Sequence, residues 1–324
     1  MDITVNILLT IATAATPLLV AAIGELVVER SGVLNLGVEG MMIMGAVAGF
    51  GIGYLSGSPW IGLIAAVVVG ALFSLLFAVM TLSFATNQVA TGLSLTLLGL
   101  GLSSMMGTGF VGLPGERLPN LYIPLLSDLP VVGKLLFGQD PVFYLSIALT
   151  AGVAWFLFRT RAGLTLRSIG DSHTSAHALG IKVIRYRYLA VIFGGACAGL
   201  AGGQLSLVYT PQWAENMSAG RGWIALALVV FASWRPWRVF AGAYIFGMIW
   251  IGQLHVQAID LQQFAGAPWL LYKAMELLKS LPSQYLAMLP YLATVVVLVL
   301  ISRNKRLTMM NTPASLGQPF VPDR

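Results

Sequence analysis

The chain has 324 residues, 57% of them hydrophobic and only 9% charged, with 18 Lys plus Arg against 12 Asp plus Glu and a mean hydropathy of +0.84. A soluble domain carries about 25% charged residues, so this balance excludes one and points to an integral membrane protein. The lone Cys197 excludes an internal disulfide or a cysteine metal cluster and suits a small packing residue, while the formal charge of +6 does not signal nucleic acid, because the basic residues fall in loops between apolar runs.

Crossing a hydrocarbon layer of about 30 Å takes roughly 20 apolar residues, and about nine such runs can be counted. They lie near residues 5–24, 34–55, 60–83, 88–108, 141–158, 189–209, 216–233, 239–256 and 284–301. None shows the alternation of a barrel strand, so the backbone must satisfy itself in helices. The expected fold is all-α: a polytopic inner-membrane bundle of about nine (eight to ten) helices forming one transmembrane domain over residues 1–302. The first run follows Met1-Asp2 with no basic segment and reads as a retained helix, not a cleaved signal. The 216–233 run has a short apolar part and is the candidate for a half-helix.

Between the first two runs, "VVERSGVLNLGVEGMMIMGAVAG" (27–49) places Glu29 and Arg30 at a boundary where a turn hydrates or pairs them. Asn35 and Glu39 lie deeper and, four apart on a helix, would share a face. A carboxylate at mid-membrane costs about 2.5–3.5 kcal/mol on insertion scales, so Glu39 should face the bundle or water. Two readings stay open for this pair: a pathway wall or gate, or bonding between neighbouring helices. The same choice holds for Asn87 and Gln88 in "ATNQVATGLSL".

The segment 159–188 carries Arg159, Arg161, Arg167, Lys182, Arg185 and Arg187 against Asp171, which places it in the cytoplasm. "SWRPWR" (Arg235, Arg238) and "RNKR" (Arg303, Lys305, Arg306) share that side if residues 189–233 go out and back, whereas the charge-balanced loops 109–140 and 257–283 fall outside. The amino terminus is then outside and the carboxyl terminus cytoplasmic. Within the basic loop, "GDSHTSAHALGI" offers Asp171 or Ser172 as N-cap, a short body, and Gly180 at a left-handed C-cap, which predicts a helix of about two turns. His173 and His177 would share one of its faces, as exposed polar residues rather than metal ligands. Across the membrane, "GGQLSLVYTPQWAENMSAGRGW" includes Glu215 and Arg221, candidate charges for touching a binding protein; on the inner side, Trp234 and Trp237 around Pro236 read as interface anchors of a tight turn. The tail 303–324, with "NTPASLGQPFVPDR", is rich in turn formers and is expected to be disordered or loosely attached.

Gly170, Asp171, Ala176, Gly180 and Ile181 fall on the positions of a Gly-[Asp/Glu]-Asn-Pro-x-Ala-Ala-x-x-x-Gly-Ile loop, and here the chain resembles the permease subunits of bacterial ATP-binding-cassette importers for ribose, branched-chain amino acids and nucleosides. Ser172, His173 and Ser175 depart from that pattern, and losing proline removes a preset φ at the helix start. "ERSGVLNLGVEG" and "GRGWIALALVVFASWRPW" (220–237) are further matches and lean toward the purine-nucleoside branch. The resemblance covers residues from about 10 to 300. It implies that the loop holds a coupling helix, with Asp171, Ser172, Ser175, Ala176, Leu179, Gly180 and Ile181 meeting a separate ATPase subunit.

No Gly-Lys-[Ser/Thr] phosphate loop occurs, so ATP and Mg²⁺ are expected on that partner and no cofactor or metal on this chain. The other partners implied are a second, non-identical permease and an external substrate-binding lipoprotein or protein. The function expected is the translocation pathway for a small neutral solute, a nucleoside first, with ribose-type sugar or branched-chain amino acid as alternatives. A secondary transporter using Glu39 as a proton carrier is a competing reading. An enzyme is disfavoured by the lack of any Ser/His/Asp or His/Glu constellation at useful spacing.

Overall fold

The computed structural model describes residues 2–121, 124, 137–258, 273, 276, 282–302 and 311–321. Asp128, Lys134, Asp260 and Lys279 of the charge-balanced loops, and Arg303, Lys305 and Arg306, lie outside those residues. The described residues are helical, with a single isolated bridge between Val111 and Trp213 and no strand.

Long apolar runs dictate the first four helices: α1 (Asp2–Arg30), α2 (Val38–Ser56), α3 (Pro59–Ala78) and α4 (Gln88–Gly107). A π-turn, Val79–Ser83, prolongs α3, and a 3₁₀ turn, Thr108–Phe110, prolongs α4. After α5 (Pro141–Arg159) the basic loop folds as two short helices, α6 (Arg161–Asp171) and α7 (His173–Ala178). Next comes α8 (Val183–Gln204) with a π-turn at Leu205–Tyr209, then α9 (Arg221–Phe231), α10 (Pro236–Ala258), α11 (Ser283–Ala287) and α12 (Leu289–Ser302).

Six helices among the described residues are long and apolar enough to cross a membrane: α1, α2, α3 and α4 with their extensions, α5, and α8. The chain is a multi-pass membrane protein. The nine spans expected are not reproduced in full, and α9 shows why. Its eleven residues rise roughly 16 Å, about half of a ~30 Å hydrocarbon layer, so the 216–233 run does not make a span on its own.

Burial separates the bundle into a centre and a rim. The spans of α1, α2 and α8 are 72%, 83% and 83% buried, against 39%, 28% and 33% for α3, α4 and α5. Without a hydrophobic drive between helices in lipid, close backbone approach supplies the attraction. At the α2–α8 crossing a side chain on Gly45 would come within 2.5 Å of the Gly199 Cα, and one on Gly199 would strike the Ala66 carbonyl of α3. Buried Cys197 lies in the same core.

Two ends can be told apart. The α6–α7 loop, the turn between α9 and α10, and residues 311–321 meet at one, called here the loop end. At the other, residues 111–118 run along 207–213, with Gly115 N–H donating to the Pro211 carbonyl (3.1 Å) and Leu118 N–H to the Leu207 carbonyl (2.9 Å).

Three sequence expectations change. Helix α1 runs to Arg30, so Glu29 and Arg30 are buried in its last turn and paired there, not hydrated in a loop. Residues 31–37 are non-helical, so Asn35 and Glu39 do not share a helical face. The third is the tail, where residues 311–321 are packed: Ser315 and Phe320 are buried, and the segment is hydrogen-bonded across the loop end. Its partners lie far away in sequence, which composition does not reveal.

Candidate functional site

The polar residues of the apolar runs gather where helices break. Between Tyr209 and α9 the backbone turns inward through Asn216, Ala219 and Gly220, all left-handed with φ of +52°, +46° and +78°. Irregular backbone of this kind leaves α9 with unpaired amides at its N-terminus, deep in the bundle. Glu39, in the first turn of α2, satisfies them. Its carboxylate accepts from Ser218 Oγ (2.5 Å), Gly220 N–H (2.9 Å) and Gly222 N–H (2.6 Å). A negative group here also complements the positive end of the helix dipole. Gly222 permits the approach, since a side chain there would come within 2.6 Å of the Glu39 Cα.

Arg221 is buried beside this cap. Its guanidinium lies 4.4 Å from the Trp250 ring centre and 5.3 Å from that of Tyr209, and Nη1 donates to the Met217 carbonyl (2.8 Å). Cation–π contacts of this sort hold a cation that has left water.

Asn35 serves a second break. Its side-chain nitrogen donates to Glu25 Oε2 (3.4 Å), its backbone N–H to Glu25 Oε1 (3.3 Å), and its Oδ1 accepts from Gly37 N–H (3.0 Å), which holds the elbow between α1 and α2. Gln88 braces the same elbow, accepting from Leu34 N–H (2.8 Å) and donating to the Gln318 carbonyl (3.5 Å). Asn87 is exposed and caps α4 through Ala90 N–H (3.0 Å). At the loop end Trp234 Nε1 donates to Glu29 Oε2 (2.5 Å), and Arg30 donates to the carbonyls of Trp234 and Asn311, both at 3.0 Å.

The short helix in the basic loop has the ends its sequence specifies. Ser172, not Asp171, is the N-cap and accepts from Ser175 N–H (3.3 Å); without proline the start is set by this serine alone. At the other end Gly180 takes φ of +80°, Gly180 N–H donates to the His177 carbonyl (2.8 Å) and Ile181 N–H to the Ala176 carbonyl (3.1 Å), the paired bonds of a Schellman stop. Ala176 points inward, whereas Asp171, Ser175 and Gly180 are exposed and Leu179 is 81% exposed. His173 Nδ1 lies 3.3 Å from Arg187 Nη2; partial burial first, and that guanidinium second, hold its pKa below the ordinary histidine value.

The family model described as "Branched-chain amino acid transport system / permease component" matches residues 7–301. The chain belongs to this permease family. The permease is 39% identical over 312 residues to a Haloferax volcanii protein named, provisionally, as a glucose ABC transporter permease, covering 95% of this chain and 94% of the relative. It is 34% identical to the guanosine ABC transporter permease protein of Bacillus subtilis, covering 95% and 93%, and 31% identical to the nucleoside ABC transporter permease protein of Lactococcus lactis, covering 88% and 89%. No solved structure matches it.

In the permease, then, Asn35, Glu39 and Gln88 converge on helix breaks, while Asn87 stands apart as a cap. Glu215 is exposed on the stretch 210–220, whereas Arg221 is buried and turned into the bundle. Trp237 is 57% exposed, whereas Trp234 is buried and bonded to Glu29. Two residues matter beyond what their sequence suggested: Arg187, which counted there only as a loop charge, and Phe320. The signal for Arg187 was its place on the buried stripe Val183, Arg187, Ala190, Val191 and Gly194 of α8, where a lone cation needs partners.

Proposed function

We propose that this ABC permease forms the translocation pathway of an importer for a neutral nucleoside. Two relatives named for guanosine and nucleoside transport, at 34% and 31% identity over nearly the whole chain, support that substrate. A sugar is the second reading, favoured by the relative at 39% that is provisionally named for glucose. The solute passes beside the elbow of residues 31–37 and the re-entrant stretch 210–220, where Asn35, Glu39 and Gln88 fix irregular backbone that only a protein wall or a wet cavity tolerates.

In this reading the loop end faces the cytoplasm, with the amino terminus outside, in line with the arginines and lysine of 159–188. Helix α7 is the coupling helix. It presents Asp171, Ser175, Leu179 and Gly180 to an ATPase subunit that holds ATP and Mg²⁺, while Ser172, Ala176 and Ile181 fix the helix itself. A second permease chain and an external binding lipoprotein complete the importer, and ATP-driven displacement of α7 switches it between outward- and inward-facing states.

Competition for uptake tests the substrate. Cells dependent on this transporter should take up labelled guanosine, with excess unlabelled nucleosides suppressing it and excess glucose leaving it unchanged. Suppression by glucose alone would move the assignment to the sugar.

A further inference from the structure

Residues 311–321 make more specific contacts than a loose tail has reason to. The Asn311 carbonyl accepts from Arg30 at the end of α1 (3.0 Å). Ser315 grips the α6–α7 elbow, its N–H and Oγ donating to the Gly170 carbonyl (2.9 and 2.6 Å) and Oγ also to that of Ile169 (3.1 Å). Two residues on, Gly317 N–H donates to the Gly32 carbonyl (3.1 Å) in the α1–α2 elbow. The Gln318 carbonyl accepts from Arg187 Nη1 (3.4 Å) and Gln88 Nε2 (3.5 Å). Arg187, 1% exposed, completes the junction by donating through Nε to the Ser31 carbonyl (3.1 Å).

Phe320 then lies under α7. Its ring centre is 5.2 Å from that of His173 and 5.4 Å from that of His177, both edge-on, and it packs with Ile169, Ala176 and Val183. A helix of six residues is too short to persist by its own hydrogen bonds and buries only Ala176. Its position must come from what it rests on.

We propose that residues 311–321 are a working part of the coupling apparatus, a strap that ties α7 to the α1–α2 elbow, with Phe320 as the residue that positions α7. Displacement of α7 is carried through Ser315, Gly317 and Gln318 to Gly32 and Gln88 at the pathway, and is not dissipated in the loop. The proposal rests on reading α7 as the helix that meets the ATPase.

The test uses the complete transporter in proteoliposomes, with guanosine or glucose, whichever it takes up, as the probe. Two variants are compared with the full chain: removal of residues 311–324, and Phe320→Ala in case the shortened chain is not recovered. Leu179→Cys, cross-linked to the ATPase by a thiol-to-amine reagent, monitors docking separately. With docking present in the full chain, both variants should continue basal ATP hydrolysis while solute transported per ATP falls about tenfold, within the usual range of coupling between sites. An unchanged ratio with the cross-link intact would overturn the strap and leave the docking helix standing. Faster uptake in the variants would also overturn it, because the segment would then be a brake. Failure of Leu179→Cys to cross-link in the full chain would overturn both readings.

Discussion

Glu39 shows how one residue type can be read correctly for exposure and incompletely for purpose. Its cost in hydrocarbon correctly keeps it away from lipid, but the reason it exists is α9, which begins in mid-bundle and needs an acceptor for its first amides. Of the two readings open for Asn35 and Glu39, both make bonds to another segment, Asn35 to Glu25 and Glu39 to the start of α9. That engagement argues against Glu39 as a mobile proton carrier. Glu39→Ala leaves two amides and the Ser218 hydroxyl unpaired, and each unsatisfied buried donor costs about 1–3 kcal/mol. The thermal inactivation midpoint of the purified permease should therefore drop, and drop further than for Glu39→Gln, which keeps one acceptor. Equal midpoints for the two variants would refute the cap.

Among the elements, α7 was the most legible and residues 311–321 the least. Ser172 and Gly180 are local signals whose partners lie within five residues, so cap chemistry alone locates the helix. Ser315 and Gln318 bond groups 131 to 230 residues away, and the same glycine, proline and polar residues that form a loose tail also form a strap. Composition cannot separate the two. Helix α9 falls between: its apolar length suggested a half-helix, but its burial against Glu39 depends on a left-handed turn that no single residue announces. Gly180→Val should uncouple transport, because a β-branched residue at φ of +80° is a backbone outlier and distorts the helix stop. Substrate-stimulated ATP hydrolysis and uptake both at the parent level would remove the coupling role.

For the whole molecule, hydropathy gave the membrane class and the positions of the six long spans, since length and apolarity are one-dimensional properties. It did not resolve which spans are central, because in lipid both inner and outer helices are apolar, and the sorting rests on contacts such as Gly45 against Gly199. In the proposed function the engine is a separate ATPase subunit. Vesicles containing it alone should accumulate no guanosine or glucose under ATP or a proton gradient, and accumulation should begin when the ATPase and binding protein are supplied. Gradient-driven accumulation by the lone chain would place it among secondary transporters instead.

The short reach of α9 has one more effect. Along that sector the bundle has helix for half its height and bare peptide for the rest, with Gln212, Glu215 and Asn216 turned outward. Oil would strip those groups of every hydrogen-bond partner, so a neighbouring subunit or a film of water must lie against them. The incomplete rod thereby leaves a polar strip on the flank of the bundle, where a full-length helix would present apolar side chains alone.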